Sequence, residues 1–420
     1  MSTTPPAARP SGLRRGTNLG HVAEFNDAVI LSYIRAAKTG TSRSELRSAT
    51  GLAPQTVSDV CQRLLDQGLI AETGTSTKGF GRPRVTLELV PTSRYALGIH
   101  VDPATISYVL LDLAGNLIAH RSVAIPDPDD ANVVIDQMAP TLESLLIESG
   151  VAREKVVGLG LAVPGPIDAE GGAMVDPPHL PGWHHERLRD RLRESTGFTA
   201  VVDKDVIAAI VAERWAGAIS GASDAAFLYL GSGVGLGLIT DDLVVRGRSS
   251  NAGDIGHLMV DDRGPLCERG HTGCLGTVCS PLFIVQEAVA RGILPATAND
   301  ANLSHAVRRL AELRARVDAD AAGARDLVEE IARRLARGAT IIANMHDTQR
   351  IVCGGPAWAP FADLYLPLLQ DSVEKEFAMS SLHEIDVANS DLGADVAAIG
   401  AACLVLDERF ATRPSSLLVV

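Results

Sequence analysis

Two stretches of this chain share one plan, and that repetition constrains the fold more than any other feature. "YALGIHVDPATISYVLLDLAGNLIAHRSVAI" reads as three strands joined by turns, and from residue 224 "DAAFLYLGSGVGLGLITDDLVV" opens a second strand set. Each set gives way to alternating helices and strands. After the first come the amphipathic "VVIDQMAPTLESLLIESG" and the buried strand "KVVGLGLAVPGPID"; after the second, long helices over roughly 303–345 and the strand and turn "RIVCGGPAW". A final helix covers "ADVAAIGAACLVL". Two such halves with a cleft between them predict an α/β body of two lobes, actin-like and RNase-H-like.

Upstream of the body the periodicity is helical. Phe25, Ala28, Val29, Ile30, Tyr33 and Ile34 recur at three- and four-residue spacing. A second helix starts at "SRSE", where Ser42 caps and Glu45 reaches back, and it ends near Gly51. A third, "APQTVSDVCQRLLDQG", turns Val57, Val60, Leu64 and Leu65 inward and stops at Gly68. A short strand, a polar glycine-rich loop and an alternating strand through Val85, Leu87 and Leu89 follow. Three helices and a hairpin in this order predict a winged helix-turn-helix. Its third helix offers Gln55, Thr56, Ser58, Asp59, Gln62 and Arg63 to base edges, and the hairpin tip offers Lys78, Arg82 and Arg84 to phosphates or a narrow minor groove. The expected partner is operator DNA.

Charge agrees with that division. The net charge is −13, but up to Arg94 there are 12 Lys and Arg against 7 Asp and Glu, a net of +5, which leaves −18 for the rest. Residues 1–20, rich in Pro, Ser, Thr and Arg without periodicity, read as a disordered arm. That arm contains no apolar stretch resembling a signal peptide, and the most apolar run, "AAFLYLGSGVGLGLIT", is too short and glycine-broken to span a bilayer. A cytoplasmic protein without membrane partners is expected. Six scattered cysteines suit free thiols or metal ligands better than a disulfide framework.

Six motifs then carry a resemblance. "GLGLAVPGPID", "LPGW", "GSGVGLGL", "NAGDIGH", "CERGHTGCLG" and "CGGP" stand in the order and spacing of the motifs of the ROK family, which groups sugar-responsive repressors with sugar kinases. With a DNA reader ahead of a kinase-like body, the chain resembles the family's xylose and N-acetylglucosamine repressors; the kinases lack the reader. The resemblance implies an ASKHA-type body. The domain plan is then an arm over 1–20, a winged helix over 21–92, one lobe over 93–215 completed by 395–420, and a second lobe over 216–394.

What the resemblance implies for chemistry depends on the residues present. The family's kinases carry an Asp-x-Gly-Gly-Thr loop whose amides hold nucleotide phosphates; here His100, Val101, Asp102, Pro103 and Ala104 stand there. Proline brings no amide proton and aspartate repels phosphate, so ATP is not expected. The second glycine loop, Gly231 to Gly237, survives, as a hairpin between packed strands also would. The family's catalytic base corresponds to Asp205 within "KDVI", where Lys204 and Ile207 replace asparagines. Pairing with Lys204 makes Asp205 a poorer base; the same ammonium also suits an acidic ligand. Asp254 replaces the usual glutamate of the sugar site, beside His257, and Gly276 replaces a second carboxylate. Hydrogen bonds to charged groups are worth about 1.5–3 kcal/mol each, so a simple hexose loses roughly 3–6 kcal/mol, about a hundredfold to more than ten-thousandfold in affinity.

The family's zinc is held by a histidine and three cysteines. Carried across, that gives His257, Cys267 and Cys274, with Arg269 where the remaining thiolate belongs. A guanidinium supplies no ligand. Either His271 or Cys279 completes a structural zinc site, or Arg269 pairs with Asp261, Asp262 or Glu268 and the turn holds without metal. The function expected is a transcriptional regulator, a repressor of carbohydrate-related genes acting as a homodimer or higher homo-oligomer. Its effector is a sugar or sugar derivative that biases lobe closure, unless the chain has become ligand-independent. The rival is an active carbohydrate kinase with a regulatory head.

Overall fold

The computed structural model describes residues 19–37, 39–76, 84–125, 130–177 and 179–411. They fall into two compact units: the residues before Arg94 together with those from Asp407, and Arg94–Leu406. Among the described residues no helix is long and apolar enough to cross a membrane.

The first unit has α1 (Leu19–Ala36), α2 (Arg43–Thr50), α3 (Pro54–Asp66), β1 (Ile70–Ser76) and β2 (Arg84–Leu89). α2 begins as its sequence dictates: Glu45 accepts the Ser42 amide at 2.8 Å while Ser42 Oγ accepts the Glu45 amide at 3.4 Å, and Gly51 ends it at φ 68°. α3 starts with Pro54 and buries Val57, Val60, Cys61 and Leu64 against Ile30, Leu31 and Ile34 of α1. Tyr33, expected on the apolar face, is 44% exposed and its hydroxyl donates to the Ala49 carbonyl at 3.3 Å, a polar tip at the rim of the core. β1 and β2 pair antiparallel from Ile70↔Leu89, and Thr41 bridges to Leu87 as a third edge.

In the second unit, β3 (Tyr95–Val101), β4 (Thr105–Asp112), β5 (Leu117–Ala124), α4 (Ala131–Ser149), β6 (Val156–Val163), the short pair β7 (Ile167–Asp168) and β8 (Ala173–Met174), α5 (Leu188–Thr196) and β9 (Ala200–Lys204) form the first half. α6 (Asp205–Ala216) leads to β10 (Ala225–Leu230), β11 (Val234–Thr240), β12 (Leu243–Val244), α7 (Leu275–Val278), α8 (Pro281–Ala290), α9 (Leu303–Asp318), α10 (Ala324–His346), β13 (Arg350–Gly354), α11 (Ala362–Glu376), β14 (Asp386–Asn389) and α12 (Val396–Phe410). The sheets have the orders β5-β4-β3-β6-β9 and β12-β11-β10-β13-β14. In each, the first three strands are an antiparallel meander and the last two run parallel to the first, so the repetition in sequence is a repetition in topology. The chain is thus mixed α/β with the two-sheet body the sequence predicts.

Close helix contacts hold the sheets in place. A Cβ on Gly160 would lie 1.7 Å from the Ala401 carbonyl oxygen of α12, and one on Gly400 would lie 2.0 Å from that of Ala208 in α6. α6 is buried almost all round, and a Cβ on Gly237 of β11 would meet the Val206 carbonyl oxygen at 2.7 Å. Small residues are required at these crossings because backbone meets backbone. Gly235 and Gly237 of the "GSGVGLGL" hairpin, packed on Val206, therefore have a packing role independent of any nucleotide.

Candidate functional site

Three groups of residues were singled out by the sequence, and the structure treats them differently. On α3, Gln55 and Ser58 are exposed and Thr56 is half-buried, on the face opposite the core. Arg63 is engaged within the unit: its Nε donates to Asp27 Oδ2 of α1 at 3.2 Å and its Nη2 pairs with Oδ1, which lifts its pKa further. It clasps α1 to α3. Lys78 and Arg82 lie outside the described residues, and Arg84 is the first residue of β2. Arg47 on α2 was missed from sequence; it is exposed and, among the described residues, engaged by no side-chain hydrogen bond or ion pair.

The cleft residues cluster where β9 runs into α6. Asp205 opens α6, and its Oδ1 accepts the Val206 amide at 2.7 Å. Burial pushes its pKa up, with the charges of His100 and Lys204 pulling the other way. Lys204 does not pair with it as expected. Its ammonium is buried and donates to the Asn251 and Ala252 carbonyls, each at 3.2 Å, because β9 ends pointing at the 246–257 loop. Two further links join that loop to β9 and to β7. Arg246 pairs with buried Asp203, and Asn251 exchanges two 2.8 Å hydrogen bonds with the Ile167 backbone. Asp254 is exposed, its Oδ1 accepting the Gly256 amide at 3.3 Å. A Cβ on Gly276 would stand 3.0 Å from Gly256, so the missing carboxylate cannot be restored without displacing backbone.

The loop after β3 is closed on itself. Asp102 Oδ1 accepts the Ala104 amide at 2.9 Å, the Asp102 amide donates to the Thr105 carbonyl at 2.9 Å, and Ser304 Oγ donates to the Pro103 carbonyl at 3.0 Å. The Tyr229 ring lies beside Gly231 and Gly355: a Cβ on Gly231 would lie 2.7 Å from it, and one on Gly355 would lie 3.1 Å away. His100 meets Tyr229 edge-on with centroids 6.4 Å apart, and His100 Nε2 and Tyr229 Oη are buried with no hydrogen-bond partner.

The cysteine turn is the best-formed of the three. His257, Cys267, His271 and Cys274 place their ligand atoms within 4.8 Å of one another, and Cys267 Sγ is 3.7 Å from His257 Nδ1. Gly270 and Gly273, at φ 78° and 60°, reverse the chain so that Leu266 bridges Thr272 and Met259 bridges Cys274. That reversal brings His271 beside Cys267. Zn–S near 2.3 Å and Zn–N near 2.05 Å require tetrahedral edges of about 3.3–3.8 Å, so the four atoms need contract by only about an ångström to fit zinc. Burial raises the Cys267 thiol pKa, but the His271 and Arg269 amides outweigh it and lower the value, favouring thiolate. Arg269 thus contributes its backbone while its side chain stays exposed. Asp261 pairs with Arg334 of α10 at 2.9 Å, not with Arg269. Cys279 is buried in the core of the second sheet, its pKa pushed up to about 12, and is outside the ligand set.

A family model described as "ROK family" matches residues 96–408. The DNA-binding transcriptional repressor Mlc of Escherichia coli (strain K12) is 26% identical over 370 residues, covering 88% of this chain and 90% of the repressor. A glucokinase of Halalkalibacterium halodurans is 28% identical over 319 residues, covering 75% of this chain and 96% of the enzyme. The crystal structure of a ROK family transcriptional regulator, a homolog of the E. coli MLC protein, superposes with a TM-score of 0.74 at 22% identity, over 93% of this chain and 97% of that one.

Proposed function

Given that this chain belongs to the ROK family, we propose that it is a DNA-binding transcriptional regulator of sugar-related genes whose body binds an effector and performs no phosphotransfer. The observation that carries this is the three-helix unit with its hairpin, fused ahead of the kinase-like body. The repressor's match extends over that unit as well as the body, whereas the glucokinase's covers three quarters of the chain. Operator DNA is read through Gln55, Thr56 and Ser58 in a major groove, with Arg47 and the wing residues Lys78, Arg82 and Arg84 on phosphates. A homodimer presents two such readers to a roughly palindromic site. Selection of bound fragments from genomic DNA tests it: a shared two-fold motif is expected, and recovery no better than background overturns it.

A sugar or sugar derivative binds beside Asp205 and Asp254, where entry competes with the Lys204 and Asn251 links across the cleft. By biasing those links it shifts the spacing of the two readers. The lobes that move are 93–215 with 395–420, and 216–394. Structural zinc is held by His257, Cys267, His271 and Cys274, a complete Cys2His2 set without a third cysteine. When bound, it supplies a cross-link for the 257–274 loop, not a catalytic centre.

A kinase reading is favoured by Asp205, which keeps the position of the family's base, and by the glucokinase relative. Against it, the amides of residues 102–104 are not offered to a phosphate: Pro103 lacks one, and those of Asp102 and Ala104 are already bonded. Tyr229 further occupies the room beside Gly231 and Gly355.

A further inference from the structure

The outward face of α3 carries no described cation. Arg63 is tied to Asp27, and the exposed side chains are Gln55, Ser58, Asp59, Gln62 and Asp66. Of these exposed polar side chains two are carboxylates. Gln55 Nε2 donates to Asp59 Oδ1 at 2.7 Å, one helical turn on, and Gln62 Nε2 donates to Asp66 Oδ1 at 2.8 Å. A carboxylate on a helix inserted between phosphate backbones is repelled unless a base edge donates to it. Asp59 lies in the N-terminal half of the helix, the part that reaches base edges in this motif, while Asp66 is the last residue.

Resting on the DNA-binding reading above, we propose that Asp59 is a specificity-determining residue that reads cytosine in each operator half-site through its exocyclic amine. The major-groove edges select that base. Only cytosine N4 and adenine N6 donate there. In an A·T pair the N6 donor sits between two acceptors, adenine N7 and thymine O4, which repel an acceptor-only carboxylate from both sides. In a C·G pair cytosine N4 has an acceptor on one side only, and the other side is the C5–H edge. Gln55 holds Oδ1, so Oδ2 is left for a single bond to N4, and the helix turn fixes its aim. The remaining Gln55 donor and its carbonyl stay available to a neighbouring base.

The test is selection from a random duplex library with the full-length protein and its Asp59→Asn and Asp59→Ala variants, followed by sequencing. Asp59 is exposed and outside the core, so both variants fold, which thermal melts verify. Wild type is expected to enrich half-sites with C·G at one symmetric position by about tenfold over the other pairs. Asp59→Asn is expected to move that one position toward A·T, because an amide pairs with adenine N6 and N7. Asp59→Ala is expected to flatten it while the other positions keep their preference. A merely structural Gln55–Asp59 pair would leave every base preference unchanged in both variants. That outcome, with wild-type enrichment intact, overturns the inference alone. No enrichment by wild type overturns the DNA-binding reading and this inference with it.

Discussion

Replacing His271 with alanine tests the proposed zinc knuckle more sharply than removing either cysteine, because His271 is the residue proposed to stand in for the family's third thiolate. In the folded turn the four ligand atoms already lie within 4.8 Å, so little reorganisation opposes binding. With free zinc at a hundred times its Kd, occupancy stabilises the folded body by about 2.7 kcal/mol. At roughly 2–4 °C per kcal/mol for a body of this size, chelation should lower Tm by about 5–10 °C. Losing even a group that only hydrogen-bonds a ligand weakens metal sites about 10–100-fold, and losing a ligand itself counts for at least as much. At a hundredfold loss the same zinc concentration equals Kd, the stabilisation falls to about 0.4 kcal/mol, and the chelator shift shrinks to about 1 °C. The assay is zinc per chain by elemental analysis after dialysis, with melts before and after chelation. Cys279→Ala is the control: zinc content should not change, although a buried thiol is lost. One zinc per chain and a full chelator shift in His271→Ala would refute the four-ligand argument.

Three further outcomes are expected. Arg63→Ala and Asp27→Ala should each destabilise the first unit, with a coupling of about 0.5–1 kcal/mol in a denaturation double-mutant cycle, since the pair is partly solvent-screened; zero coupling would return Arg63 to the DNA-contacting set. Asp300 has its pKa lowered to about 2 by the Thr297 amide and hydroxyl and by Arg309, so its contribution is present above about pH 4 and is lost as pH falls toward 2. Asp300→Asn should flatten that limb of a Tm-against-pH curve, and an unchanged limb would count against it. Gly160→Ala should abolish folding or cost more than about 4 kcal/mol, because its Cβ would meet the Ala401 carbonyl oxygen at 1.7 Å; normal soluble expression with an unshifted Tm would contradict the packing.

Local signals were readable and distant partners were not. The α2 boundaries follow from Ser42, Glu45 and Gly51, residues within one helix. The two meanders follow from period-two strands and their turns, and their parallel additions from the alternation that follows. Arg63 looked available because Asp27 is 36 residues away, and nothing in α3 announces the clasp. Lys204 looked paired with its neighbour Asp205, yet its carbonyl partners are 47 and 48 residues on. Sequence left His271 and Cys279 open as a fourth ligand; the turns at Gly270 and Gly273 bring His271 to the cluster, while Cys279 lies in the core. Arg47 was overlooked because its standing as an unengaged cation depends on how Arg43 pairs with Glu72 and Arg63 with Asp27.

A kinase-like body that serves a DNA reader, as proposed, transfers no phosphate. One preparation decides it: ADP release is followed with magnesium, ATP and a panel of sugars, while retention of selected operator DNA is scored in the same sample. Specific retention with ADP release at the no-sugar background is expected. Sugar-dependent turnover that disappears in Asp205→Asn would contradict it.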